Sequence, residues 1–146
     1  MRLDHLCDLD LGYRSELFGG AVVLVAPYGT TESSAYGEGD GSAVGDRLRG
    51  EVRWTNHPRR RSDGAFLPDS HGMIRTDDGA DIIFSLSGRT TFADNASLGV
   101  QNLHALFEAE SERYRWLNDV VCVAEGKIDP NTMRAVIRVY VCVHEL

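Results

Sequence analysis

The feature that most constrains this chain is alternation. Stretch after stretch sets apolar or β-branched residues at every second position, bounded by Gly, Asp, Asn or Pro. Candidate strands run from Leu3 to Leu11, Ala21 to Pro27, Asp46 to Trp54, Ala65 to Thr76, Ala80 to Arg89, Val100 to Glu110, Val120 to Glu125 and Met133 to His144. Successive side chains of a strand point to opposite faces, so this pattern describes a wall with one wet and one dry side. About eight such strands predict a closed antiparallel barrel of lipocalin or allene-oxide-cyclase-like appearance, just wide enough to enclose side chains or one small ligand.

Turn chemistry sharpens the topology. Asp78-Gly79 and Asp63-Gly64 each tolerate positive φ, and the expectation at both is a tight type I′ hairpin. Asp129-Pro130-Asn131 reads as the last turn, with Pro presetting φ. The one helical signal is short: Ser111 can cap Glu112-Arg-Tyr-Arg-Trp-Leu117, and Asn118 can end it. Ser33 to Gly45 is rich in small residues, shows neither period, and reads as a loop or lid carrying Tyr36.

At 146 residues the chain is long enough for one core and too short for two, so residues 1–146 form a single domain. A hydrophobic fraction of 42% and a charged fraction of 25% are those of an ordinary globular protein. The formal net charge of −7 argues against nucleic acid as the main partner. The apolar run Leu17 to Tyr28 is broken by Gly19 and Gly20 and falls short of the roughly 20 residues of a membrane span. Without a secretory pattern at the N-terminus, a cytoplasmic location is expected. The three cysteines are odd in number, and Cys122 and Cys142 sit in Val-rich runs that suit small buried hydrophobes rather than nucleophiles.

Certain segments together carry a resemblance: Arg47-x-Arg-Gly-Glu-Val52, Asp63-Gly64, Asp69, Arg75-Thr-Asp-Asp-Gly79 and Tyr114-x-Trp-Leu-Asn118. In that order they resemble the bacterial and fungal domain-of-unknown-function family 3237, over about Leu3 to Val143. The resemblance implies an antiparallel β-barrel and, by itself, no reaction. Where relatives commonly carry tyrosine, this chain has Gly72, which implies a different pocket or different packing beneath it.

Chemistry-bearing residues fall into same-face sets. Leu67, Asp69, His71, Met73 and Arg75 share one face of their strand. An inward orientation would make Asp69 and His71 an acid–base pair in an apolar setting, with pKa values drawn toward neutrality. An outward one would make them a solvated pair. Arg49, Glu51 and Arg53 form a second set, and His104, Leu106, Glu108 and Glu110 a third. Each reads either as a salt-bridge ladder or as a polar patch gripping a ligand. The candidate catalytic residues are therefore Asp69 and His71, and the candidate ligand contacts are Tyr36, Arg49, Glu51, Met73 and Glu108. The histidines lack His-x-His and His-Glu-x-x-His spacing, so neither a metal nor another cofactor is expected.

Two functional expectations follow. One is a cofactor-independent isomerase, cyclase or lyase that uses proton transfer on a small cyclic or aromatic metabolite. The other is a non-catalytic carrier or sensor of a small hydrophobic ligand. Exposed strand edges or apolar outer faces further suggest a homodimer.

Overall fold

The structure is a computed structural model that describes residues 1–14, 20–93 and 97–146. Its strands are β1 (Arg2–Tyr13), β2 (Val23–Val25), β3 (Ser33–Val44), β4 (Gly50–Asn56), β5 (Arg59–Arg60), β6 (Phe66–Leu67), β7 (Asp69–Thr76), β8 (Asp81–Thr91), β9 (Gly99–Ala109), β10 (Cys122–Asp129) and β11 (Arg134–Val143). Eight of them close a ring in the order β1, β3, β4, β7, β8, β9, β10, β11 and back to β1, with every pairing antiparallel. The expected eight-stranded barrel is thus the fold.

Its membership differs from the expectation at one strand. Ala21 to Pro27, read as a wall strand, contributes only the exposed three-residue β2, laid on β3. The wall strand is β3 itself, twelve residues long, in the segment read as a loop. The reason is aromatic bulk elsewhere. Gly37 and Gly39 are where the rings of Tyr13 and Trp54 press against the wall: a Cβ on Gly37 would stand 2.5 Å from Tyr13 Cε1, and one on Gly39 would stand 2.6 Å from Trp54 Cζ2. Glycine here is an inward position whose volume a neighbour already fills. Tyr36 therefore lies on a paired strand and not on a lid.

The turns also differ in type. Gly79 and Gly64 have φ of 89° and 86°, but neither preceding Asp is left-handed. Gly79 N–H donates to Thr76 O and Thr76 N–H to Ala80 O; Arg61, Gly64 and Ala65 repeat the arrangement between β5 and β6. Both turns are a type I turn followed by a left-handed glycine, which keeps the right-handed strand twist with one positive φ instead of two. The helical piece is a 3₁₀ helix over Arg115–Asp119, and Ser111 contributes its carbonyl to the Tyr114 N–H rather than a side-chain cap.

The core runs the length of the barrel. Leu9, Leu11, Val52, Ile74, Ile82, Phe84, Leu86, Phe107, Ile137 and Val139 all point inward and are buried. A bulge between His5 and Cys7 in β1 allows the consecutive Leu6 and Cys7 both to face inside. Gly72, on the inward face of β7, makes room for a ring: a Cβ there would stand 2.5 Å from Phe84 Cζ.

One end of the barrel is shut. Leu48, Tyr114 and Leu117 are buried there, and Arg47 lies over the Trp116 ring at 4.5 Å. Asp78 accepts from the Tyr114 hydroxyl at 2.8 Å and from Arg113 at 2.7 Å. The Asn118 amide exchanges two hydrogen bonds with the backbone of Ala109. Much of what carried the resemblance, Arg47 to Val52, Arg75 to Gly79 and Tyr114 to Asn118, converges on this floor. These motifs build the closed end.

Candidate functional site in the barrel mouth

At the opposite end Tyr13, Asn56, Thr90 and Gln101 bring polar atoms to the strand termini. Here an apolar cavity of about 230 Å³ is lined by these four side chains together with Phe66, Phe92 and Met133 among others. Apolar walls with a few placed polar groups are the ordinary composition of a small-molecule site.

Two prolines create its polar wall. Pro58 and Pro68 cannot donate to a ladder, so they break the regular β4–β7 pairing where it continues into β5 and β6. His57 N–H still donates to Asp69 O at 3.0 Å. The reciprocal donor, Asp69 N–H, is taken instead by the Asn56 side-chain oxygen at 2.9 Å. Asn56, only 6% exposed, then donates from Nδ2 to the Tyr13 hydroxyl oxygen at 2.8 Å. The Tyr13 ring packs edge-on against Trp54 with centroids 4.6 Å apart. Desolvation raises the Tyr13 phenol above its ordinary value despite the Asn56 bond, so it stays protonated near neutral pH.

On the far side, Gln101 Nε2 donates to Thr90 Oγ1 at 3.1 Å. Gln101 is 8% exposed, and its Oε1 has no partner among the described residues. Met133 holds a left-handed φ of 53°, unusual for a residue with a side chain. Its carbonyl accepts from Tyr13 N–H at 3.0 Å, tying the last turn to the end of β1.

The residues singled out from sequence lie elsewhere. Asp69 and His71 do come together, with His71 Nε2 2.9 Å from Asp69 Oδ1, but their side chains are 60% and 62% exposed. The face they share is the outer one, because Ser70, Gly72, Ile74 and Thr76 take the inside. Met73 and His71 border a shallow outer depression with Arg53 and Ile83. Arg49 and Glu51 are exposed, and Glu51 stands opposite Arg75, which binds Asp81 at 2.8 Å: an outer ladder. Glu108 faces out opposite Ile83. Tyr36 faces out too, donating to Glu38 at 2.6 Å and meeting the His57 ring edge-to-face. None of these seven side chains lines the mouth cavity.

Tyr13, Asn56, Thr90 and Gln101 escaped the sequence reading. A signal exists for two of them: Asn56 continues the inward parity of Val52 and Trp54, and Gln101 that of Leu103, Ala105 and Phe107. A polar residue in an otherwise apolar register marks a place where the inside becomes polar. Cysteine chemistry is remote from the site, since burial pushes the thiols of Cys7 and Cys122 up to about 12 and about 11.

Comparison with known proteins gives a consistent picture of the fold. A crystal structure of a Clostridium acetobutylicum protein of unknown function superposes with a TM-score of 0.83 at 19% identity, covering 98% of this chain and 100% of that one. A β-barrel-like protein from Acinetobacter baumannii gives 0.81 at 18% identity, over 96% and 94%. The crystal structure of an enzyme from Penicillium herquei gives 0.71 at 24% identity, over 97% and 94%. In sequence, 61 residues are 34% identical to a hydroalkoxylation enzyme of Penicillium herquei, a match covering 42% of this chain and 34% of that protein. That alignment spans about a third of the relative. The profile of the DUF3237 family, proteins of unknown function, matches residues 26–142. With a profile match over most of its length, the chain belongs to the DUF3237 family.

Proposed function

We propose that this barrel binds a small, uncharged, largely apolar molecule in its mouth. The observation that carries the reading is the cavity itself: apolar walls, with two hydroxyls and two amides at fixed places on its rim. Its 230 Å³ is below the roughly 300–1,000 Å³ of drug-sized sites, which favours a mono- or bicyclic ligand. Tyr13 is the one titratable side chain among the described lining residues, and it stays neutral. Among the described lining residues an ion would lose its hydration without a counter-charge, which favours a neutral ligand.

The likeness to a hydroalkoxylation enzyme favours a catalytic role. The described wall supplies the hydroxyls of Tyr13 and Thr90 but neither carboxylate nor imidazole. The chemistry it fits is a cofactor-independent isomerisation or cyclisation in which Tyr13 stabilises charge on a ligand oxygen while the proton moves within the ligand. A carrier or sensor uses the same cavity without turnover.

Methionine methyl resonances test the location. The chain has three methionines: Met133 on the mouth cavity, Met73 on the outer depression and Met1 80% exposed at the terminus. Titration with neutral bicyclic fragments should move the Met133 signal and leave Met73 in place. Movement of Met73 alone would put the ligand on the outer face and end this reading.

A further inference from the structure

We infer that the mouth cavity recognises its ligand by a carbonyl oxygen, held by a hydrogen bond from the Tyr13 hydroxyl whose direction Asn56 imposes. The inference rests on the reading of the cavity as the ligand site and adds the chemical class of what enters it.

The argument is a chain of forced roles. A backbone N–H can only donate, so the Asn56 atom facing Asp69 N must be the carbonyl oxygen, which fixes the amide against a flip. The NH₂ group then faces Tyr13, and an amide nitrogen has no lone pair to offer. Tyr13 must therefore receive that bond on its oxygen, and its own proton points elsewhere. No acceptor for that proton exists among the described residues, and Tyr13 lines the cavity. The hydroxyl is thus a donor aimed at whatever fills the space.

The donor is also held still. Tyr13 is wedged between Trp54, edge-on at 4.6 Å, and the bare backbone of Gly37. Its own N–H is tied to Met133, which accepts a strained left-handed φ to make that turn. A fixed donor spends no entropy when the ligand arrives, which is the condition for orienting an oxygen. Around it the rim is apolar, with Phe66 and Phe92 in edge-to-face contact at 6.5 Å. The partner that fits is a neutral cyclic or aromatic ketone, enone or quinone: an oxygen acceptor on a planar apolar body. Among the described lining residues a carboxylate would meet only neutral donors and no cation.

The matched probes 1-tetralone and tetralin test this on the full chain, with affinity and the infrared carbonyl band of bound ¹³C-labelled tetralone as readouts. Wild type should bind tetralone about tenfold more tightly than tetralin, the ordinary net worth of one hydrogen bond in a dry site. The bound band should fall below its position in hydrocarbon solvent. Tyr13→Phe should erase both the preference and the band shift. Asn56→Asp is a second, independent arm: a carboxylate still accepts from Asp69 N–H but also takes the Tyr13 proton, so the band should return to the hydrocarbon position although the tyrosine is present. That behaviour marks Asn56 as a positioning residue, and a merely structural role would not produce it. Equal affinity for both probes, with Met133 responding to each and the band unshifted, overturns the carbonyl inference and leaves the cavity as a site. Failure of both probes to move Met133 overturns the site and the inference together.

Discussion

Asp69 and Asn56 meet through the backbone N–H of the first and the side-chain oxygen of the second, at 2.9 Å. The Asp69 carboxylate meanwhile sits on the opposite face of the strand, against His71. One residue therefore serves the interior with its main chain and the surface with its side chain. The consequence is that the carboxylate can be altered without disturbing the mouth.

Asp69→Asn and His71→Ala should accordingly leave ligand binding in the mouth within about twofold of wild type and change stability by less than about 1 kcal/mol, the usual range for exposed pairs. Calorimetric titration and urea unfolding of both variants measure this. A 100-fold loss in either would move the chemistry to the outer face.

Asn56→Leu should be costly. It strips the acceptor from Asp69 N–H and the donor from Tyr13, leaving buried polar groups unpaired at about 1–3 kcal/mol each. Tyr13→Phe should cost about 1 kcal/mol, because only Asn56 Nδ2 loses a partner. Urea midpoints ranked in that order support the relay; equal midpoints would show that water replaces the protein partners without penalty.

At Gln101 the opposite sign is expected. Its Oε1 is buried without a partner and its one bond goes to Thr90. Replacing both, as Gln101→Leu with Thr90→Val, removes the pair and the orphan at once and should leave stability unchanged or improved, by up to about 2 kcal/mol. A large loss of stability in the double variant would mean that the polar pair holds the barrel mouth together.

Gly39→Ala tests the reading of β3 as a wall strand thinned for aromatic rings. The added methyl would stand 2.6 Å from Trp54 Cζ2 and press on the Gly12 backbone, which cannot move aside. Overpacking of this kind costs about 1–3 kcal/mol. Thermal unfolding reads it directly, and a neutral result would contradict the close approach of Trp54 to the strand.

Acid should weaken the closed end through Asp78. Its carboxyl is held below the usual range first by the Thr76 hydroxyl, then by the Tyr114 hydroxyl, with Arg113 adding to both. A depressed folded value gives stability that is complete above the unfolded value near about 4 and is lost as pH falls through the folded value. The melting-temperature gap between wild type and Asp78→Asn should therefore be widest near neutrality and shrink between about pH 5 and pH 2. A constant gap across that range would mean that Asp78 does not titrate with unfolding.

How much of this was legible beforehand differs from element to element. Ile82, Phe84 and Leu86 alternate with Asp81, Ile83 and Ser85, and Leu103, Ala105 and Phe107 with His104, Leu106 and Glu108. The side with more apolar surface is the buried one, because removing that surface from water is the largest favourable term available to a strand. Most of the wall strands and the hairpin positions at Asp63-Gly64 and Asp78-Gly79 follow from such local information, whereas β3 does not. In β7 the two parities read Asp, His, Met, Arg and Ser, Gly, Ile, Thr, and neither is clearly the drier. Its orientation is decided only by its neighbours β4 and β8, whose strong patterns force Ile74 inward and the Asp69–His71 pair out. For β3 the deciding residues are Tyr13 and Trp54, whose rings need a wall without side chains at Gly37 and Gly39.

The sequence by itself determined an all-β, antiparallel chain with most of its strands and hairpin positions, since alternation and turn chemistry act over a few residues. Only the tertiary structure decided where a ligand can sit. Tyr13 and Asn56 are 43 residues apart, and Thr90 and Gln101 come from other strands that end at the same rim. Their convergence depends on ring closure and strand register, which are properties of the whole barrel and of no segment within it.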